Sequence, residues 1–167
     1  MLLNNMTHPT PTGIGTRMNT DRMAVAIGLA LNEDISAVLT LLEQSGLPRD
    51  GLLDHWATTL VARDGGRIVG SGALEMYGAS ALLRSVAVDP ALRGQGLGQR
   101  LTQAALDLAR KRGATDVYLL TETAGEFFPR FGFGEIDRAQ VPEAVRQSVE
   151  FTSVCPESAL AMRVRLT

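Results

Sequence analysis

The segment VDPALRGQGLGQRL, residues 88 to 101, carries the most specific chemistry in the chain. Gly94, Gly96 and Gly98 alternate between an apolar strand end with an Asp-Pro turn and what reads as the start of a helix. Missing side chains at alternate positions leave consecutive backbone N–H groups open at a helix N-terminus, where unpaired donors and the helix dipole favour an anion. A pyrophosphate against the backbone suits that arrangement. Two familiar phosphate loops do not match it. A Walker loop needs Lys followed by Ser or Thr after the last glycine, and Gln99-Arg100 stand there. A dinucleotide fingerprint reads G-x-G-x-x-G, whereas these glycines give G-x-G-x-G with no acidic residue ending a second strand. A plain flexible turn is the remaining alternative. The flanking strand, Asp-Pro turn, arginine and helix start favour the anion site.

Two carboxylates could move protons. Glu75 lies on a strand that reads as half-buried, and Glu122 lies just past the strand DVYLLT; a solvated rim charge is the alternative for each. Arg84 sits in a nearly apolar strand, where an extended backbone places it on one face with Leu82, Val86 and Val88. Such a guanidinium needs a partner, either a substrate carboxylate that fits its fork or an internal acid such as Glu75. Cys155 is the one cysteine, so no intrachain disulfide forms, and a single thiol is a poor trap for a soft multivalent ion. It reads as a small core residue. With two histidines, His8 and His55, a nitrogen–sulfur zinc site is not expected, and a Ser-His-Asp arrangement has only His55 to draw on.

These residues need a frame. At 167 residues, 45% hydrophobic and 20% charged, the chain has the size and composition of one globular domain. A net charge of −2 gives no basic field for nucleic acid. Residues 1 to 22 lack an apolar period and read as a disordered tail or an overextended start. Arg17 and Arg22 before MAVAIGLAL echo a secretory signal, but the run is short and begins late. No stretch reaches the roughly 18 apolar residues of a membrane span. The expected address is the cytoplasm. From residue 23 to 167 the pattern is a strand, a helix from Asn32 to Gly46, and a hairpin (57–64 and 67–77) turned at Asp64-Gly65-Gly66. A central strand (79–88), a helix over 96–112, a strand (116–121), a short helix, another strand, a helical turn and a closing strand (158–167) follow. That order predicts a mixed sheet with helices on both faces.

On these residues the chain resembles the Gcn5-related N-acetyltransferases (GNAT). Arg93-x-x-Gly96-x-Gly98 after SVAV is similar to their acetyl-CoA signature, and TETAGEFFPRFGF to their second motif through Ala124, Phe127, Gly132 and Phe133. Thr121 stands where Asn is common and Phe128 where Tyr is common. The stretches ALLRSVAV, LLTETAGEFFPRFGF and VPEAVRQSVEFTSVCPESA most resemble acetyltransferases encoded beside arsenic-resistance genes, themselves similar to the acetyltransferase domain of N-acetylglutamate synthases. The resemblance implies an α+β fold, a mixed and mostly antiparallel sheet with a splayed central parallel strand pair and helices on both faces. It implies an acetyl-CoA-dependent N-acetyltransferase without a metal, acting on a small amino-acid-like amine and in many relatives paired as a dimer. It implies that Arg93, Gly94, Gln95, Gly96, Leu97, Gly98 and Gln99 hold the pyrophosphate. The backbone of Val86, Ala87 and Val88 would hold the pantetheine arm where two strands splay, with Thr121 and Phe128 beside it. Glu75, Glu122 or Thr121 would serve catalysis, and Glu75, Tyr77, Arg84 and Ser158 would meet the acceptor. Phenylalanine at 128 cannot protonate a leaving thiolate as the usual tyrosine would. That departure motivates the alternative of a non-catalytic acetyl-CoA-binding sensor or interaction module.

Overall fold

The computed structural model describes residues 25–167. The expected tail and the first residues of the first strand lie outside them. Seven strands form one sheet in the order β1-β2-β3-β4-β5-β7-β6. They are β1 (Val25–Leu29), β2 (Thr59–Asp64), β3 (Arg67–Tyr77), β4 (Ser80–Val88), β5 (Asp116–Thr121), β6 (Gly134–Ile136) and β7 (Leu160–Arg165). Every neighbouring pair is antiparallel except β4 and β5, which run parallel. The helices are α1 (Ile35–Gln44), α2 (Leu97–Lys111) and the short α3 (Glu143–Arg146). The mixed sheet with helices on both faces is the α+β architecture expected from the sequence.

Alternation along the strands separates two faces. Leu60 and Ala62 of β2, Val117 and Leu119 of β5, and Met162 and Val164 of β7 pack with Leu97, Leu101, Ala105 and Ala109 of α2. On the other face Val61, Ala73 and Ala87 pack with Val38, Leu41 and Leu42 of α1. Beside them Leu82, Tyr118 and Leu120 pack with Val141, Val145 and Cys155. The nearly continuous apolar run of β4 follows from this double coverage.

α1 begins one turn later than its Asn32 signal suggests. Asn32 starts a 3₁₀ turn, and Asp34 at its end accepts the Leu31 N–H at 2.7 Å. The Asp34 carboxylate also takes two hydrogen bonds from the Arg63 guanidinium on β2, one of them 2.8 Å from Nη1 to Oδ1. Arg63 is the chief cause holding the buried Asp34 carboxyl below its ordinary value, against burial. A carboxyl depressed in the folded state adds stability that is complete above the unfolded value of about 3.9 and is lost as pH falls through the folded value. Asp34→Asn keeps the Leu31 cap but removes the charge. It should lower stability at pH 7 by about 1.5–3 kcal/mol, the worth of a charged hydrogen-bonded pair. Urea melts at descending pH should show the gap narrowing below about pH 4; a gap that stays constant would remove the ion pair from the account.

Candidate active site

The glycine turn ends a short 3₁₀ segment, Pro90–Leu92, capped by the Asp89 side chain, which accepts the Ala91 N–H at 2.9 Å. Gly96 is the N-cap of α2 at φ +84°, in the left-handed region, and no side chain caps the helix. A Cβ added to Gly96 would meet no protein atom within 4 Å, so the space beside this backbone is open. Val88, Leu92, Arg93, Gly94, Gly96, Leu97, Gly98 and Gln99 line a hollow at this helix end. Arg93 is held there by a 3.1 Å hydrogen bond from Nε to the Val88 carbonyl. Gln95 is exposed on the same turn, outside the lining. A hollow of unpaired helix N–H groups beside an arginine has the electrostatics of an anion site.

Next to it the sheet opens. β4 and β5 pair only at Ser80↔Asp116, Ala81↔Val117 and Leu82↔Tyr118, although β4 continues to Val88 and β5 to Thr121. The parting begins beside an irregularity on the other edge of β4. Ala73 pairs with Arg84 and Ser71 with Ala87, so Ser85 and Val86 oppose the single Gly72. This is a bulge, which bends a strand and increases its twist. Ser85 adopts φ +58°, the one positive value among the described non-glycine residues. The extra residue also corrects the face expected for Arg84. Ala81 and Leu83 before the bulge share the α2 face with Val86 and Val88 after it. Arg84 therefore lies on the opposite face from Val86 and Val88, with Leu82.

On that face a buried ionic cluster abuts the bulge. Arg84, Glu75 and Glu150 are 0%, 1% and 1% exposed. Arg84 Nη1 donates to Glu75 Oε2 at 2.7 Å, and Nε lies 3.2 Å from Glu150 Oε1 and 3.1 Å from Ser85 Oγ. Nη2 donates to the Asp50 carbonyl at 2.8 Å. Gly51 lets that loop close over the guanidinium: at φ +77°, a Cβ would stand 2.6 Å from Val149 Cγ1 and 3.4 Å from Arg84 Nη1. Glu75 Oε1 accepts the Tyr77 hydroxyl at 2.5 Å and faces His55 Nε2 at 3.5 Å. Burial, reinforced by the Glu75 carboxylate, holds the Tyr77 phenol well above its ordinary value, so it stays a neutral donor. Cys155 Sγ lies 2.8 Å from Glu150 Oε2, and burial together with that carboxylate pushes the thiol up to about 12. Cys155 therefore remains a protonated core thiol at neutral pH. Among the described residues no group of His, Cys, Asp and Glu is arranged to hold a metal ion.

Residues 55–135 match the model of an acetyltransferase (GNAT) domain. The fold is the GNAT fold. An amino-acid acetyltransferase of Mycobacterium tuberculosis is 42% identical over 82 residues, which are 48% of this chain and 46% of that protein. The chain thus spans about half the length of that curated relative. Among solved structures, one from M. tuberculosis in complex with CoA and NLQ has a TM-score of 0.73 and 26% identity, covering 85% of this chain and 99% of that one. N-acetylglutamate synthase from Neisseria gonorrhoeae, complexed with coenzyme A and N-acetyl-glutamate, has a TM-score of 0.74 and 25% identity, covering 86% of this chain and 35% of that one.

Within this fold the expected site residues fall into separate groups. The glycine turn and the parted edge of Val86, Ala87 and Val88 lie together at the strand end. Glu75, Tyr77 and Arg84 meet in the cluster. The reading of Arg84 as a clamp for a substrate carboxylate gives way to internal pairing, because its guanidinium is closed off and engaged on every side. Glu75 is likewise sealed, with both oxygens occupied. Glu122 is exposed past β5, and Thr121 is buried, its Oγ1 accepting the Ala124 N–H at 3.0 Å to fix the turn. Phe128 is fully buried edge-on against Phe127 and Phe133, a core residue with no open surface for a cofactor. Ser158 is exposed on a turn whose Pro156 and Ala159 carbonyls are held by Arg138, away from the cluster's contacts. His55 and Glu150 were not singled out from sequence. An acid between Val149 and Phe151, and a lone histidine beside Trp56, were the available signals. Arg84→Ala would leave two buried carboxylates without this cation and should cost about 3–5 kcal/mol. An unchanged denaturation midpoint would remove Arg84 from the structural core.

Proposed function

We propose that the chain is an acetyl-CoA-dependent N-acetyltransferase acting on the amine of a small amino-acid-like acceptor. The observation that carries the reading is the adjacency of a glycine-lined anion hollow to a parallel strand pair that parts beside a bulge. Gly96 and the first N–H groups of α2 would hold the pyrophosphate, and the unpaired edge of β4 would hold the pantetheine by its backbone. Acetyl-CoA supplies an acyl thioester open to direct attack by a neutral amine. The chain's part is to align the two reactants and to aim a β4 backbone N–H at the carbonyl oxygen, where charge develops. No tyrosine replaces Phe128 as an acid. A thiol with a pKa near about 8.5 leaves acceptably as the thiolate, so full protonation is not required.

The acceptor class is supported by the relatives named amino-acid acetyltransferases and by the neighbouring complex with N-acetyl-glutamate. Acetylation removes the charge and the nucleophilicity of an amine. It would disarm an amino-acid analogue, which is the detoxifying role suggested by the likeness to acetyltransferases encoded beside arsenic-resistance genes. Release of free thiol from acetyl-CoA, measured over a panel of L-amino acids that includes glutamate, is expected for at least one member. Binding of acetyl-CoA without release for any of them would favour a sensor module.

Cofactor affinity should depend on the glycine turn. Gly96→Asp is expected to weaken acetyl-CoA binding more than about tenfold, through repulsion of the pyrophosphate at close range. Gly96→Asn, which tolerates the left-handed backbone without a charge, should lose much less. Equal affinities of the two variants by calorimetry would contradict an anion at this turn.

A further inference from the structure

We infer that His55, oriented by Glu75, is the base that takes the acceptor's ammonium proton, an assignment that rests on the acetyl-transfer reading above. Three observations carry it. The α2 face of the parted edge is closed by Leu97 and Leu101 of the helix and by Phe127 and Phe128. The opposite face is closed at Ala87 by α1 and over Arg84 and Glu75 by the loops at 48–51 and 148–155, so its exposed side is the outer end at His55 and Tyr77. On that face a chain of contacts leads away from the bulge, from Ser85 Oγ to Arg84, from Arg84 to Glu75, and from Glu75 to His55. Arg84 and Glu75 are sealed, whereas the His55 side chain is 25% exposed at the outer end. Glu75 thus has no free oxygen to offer an amine, and the His55 ring is the partly exposed member of the pair.

The imidazole is held as a base needs to be. With Nε2 directed at Glu75 Oε1, the N–H tautomer at Nε2 is favoured and the Nδ1 lone pair is left free. A buried carboxylate behind an imidazole fixes its orientation and stabilises the imidazolium once a proton arrives. The groups around the ring are Glu75 and Tyr77 of β3, with the Tyr77 ring 6.2 Å away, and Arg84 and Glu150 behind Glu75. Asp54 is its neighbour on its own segment. Glu75 is in turn locked by the Tyr77 hydroxyl and the Arg84 guanidinium, which makes it a positioning residue. In the step, Nδ1 takes one ammonium proton, the freed nitrogen pair forms the N–C bond, and the C–S bond breaks with its electron pair on sulfur. The second amine proton leaves to water as the amide forms. The thiolate is protonated from solvent, and imidazolium returns its proton to water.

The test compares wild type with His55→Gln, using acetyl-CoA and the L-amino acid giving the fastest release in the panel, from pH 5.5 to 9.5. A histidine base lets the ammonium form of the acceptor react, so log kcat/KM of the wild type should level off well below the acceptor's own amine pKa. The variant must wait for free amine, and its log kcat/KM should climb with unit slope across that interval, lying about 100-fold or more below wild type at pH 7. Acetyl-CoA affinity by calorimetry should stay within twofold, and His55→Asn serves if the glutamine variant does not fold. A plateau retained by the folded variant, whatever its rate, would overturn the assignment, as would a wild type with no plateau. Failure of the wild type to release thiol with any acceptor counts instead against acetyl transfer itself.

Discussion

Ser85 gives β4 one residue more than β3 can match, and much of the site follows from that surplus. Opposite Gly72 the ladder is interrupted, with Ser85 at φ +58° and its carbonyl held by a 2.8 Å hydrogen bond from Ser71 Oγ. A non-glycine residue in this region costs of order 1–3 kcal/mol and persists only where its surroundings over-determine it. Here the determinants are visible: Ser71 from β3 and the Arg84 Nε contact to Ser85 Oγ. The bend separates β4 from β5 after Leu82, and it reverses the inside–outside order so that Val86 and Val88 face α2. The same residue thus opens the edge and turns Arg84 toward the other face.

The ionic cluster is the counterpart of that bend. Taking Arg84, Glu75 and Glu150 out of water is expensive, and such a group is tolerated when each polar atom is matched. Arg84 meets two carboxylates, a serine hydroxyl and the Asp50 carbonyl, drawing together β3, β4, the loop before the 3₁₀ segment Leu52–Thr58 and the π-helical turn at Glu150–Val154. An apolar core would be content with several arrangements of these pieces. Directional contacts admit few, and so the cluster specifies how the loops at residues 48–51 and 148–155 sit beside the bulge. Rigid placement of this kind is what a reaction driven by proximity needs.

Much of the frame was legible in the sequence because it is local. The Asp64-Gly65-Gly66 turn, the strand ends at Tyr77, Val88 and Thr121, and the helix between Gly96 and Gly113 are each written in adjacent residues. The glycine turn was legible for the same reason. The bulge was not: Ser85 and Val86 are ordinary strand residues, and strict alternation placed Arg84 with Val86. Glu150 reaches Arg84, and Cys155 reaches Glu150, through a π-helical turn far along the chain, and no periodicity announces such a meeting. Phe128 occupies a motif position, yet its ring joins Phe127 and Phe133 in the core, where motif matching and burial point in different directions.

The two halves of the site are built from different materials, and this bears on the missing tyrosine. The hollow at Gly96 and the edge of β4 offer backbone donors, which any sequence able to fold this way will present. The cluster offers side chains, each fixed by its partners. Chemistry entrusted to backbone is insensitive to substitution at one position, so on the proposed reading phenylalanine at 128 would leave the oxyanion donor and the anion cradle undisturbed. On the proposed reading the acceptor side is where Glu75, Tyr77, Arg84 and Glu150 are fixed by one another and His55 stands at the rim. A chain that keeps the donor machinery in its backbone can change its acceptor by altering the rim alone, provided the buried ions beneath it remain matched.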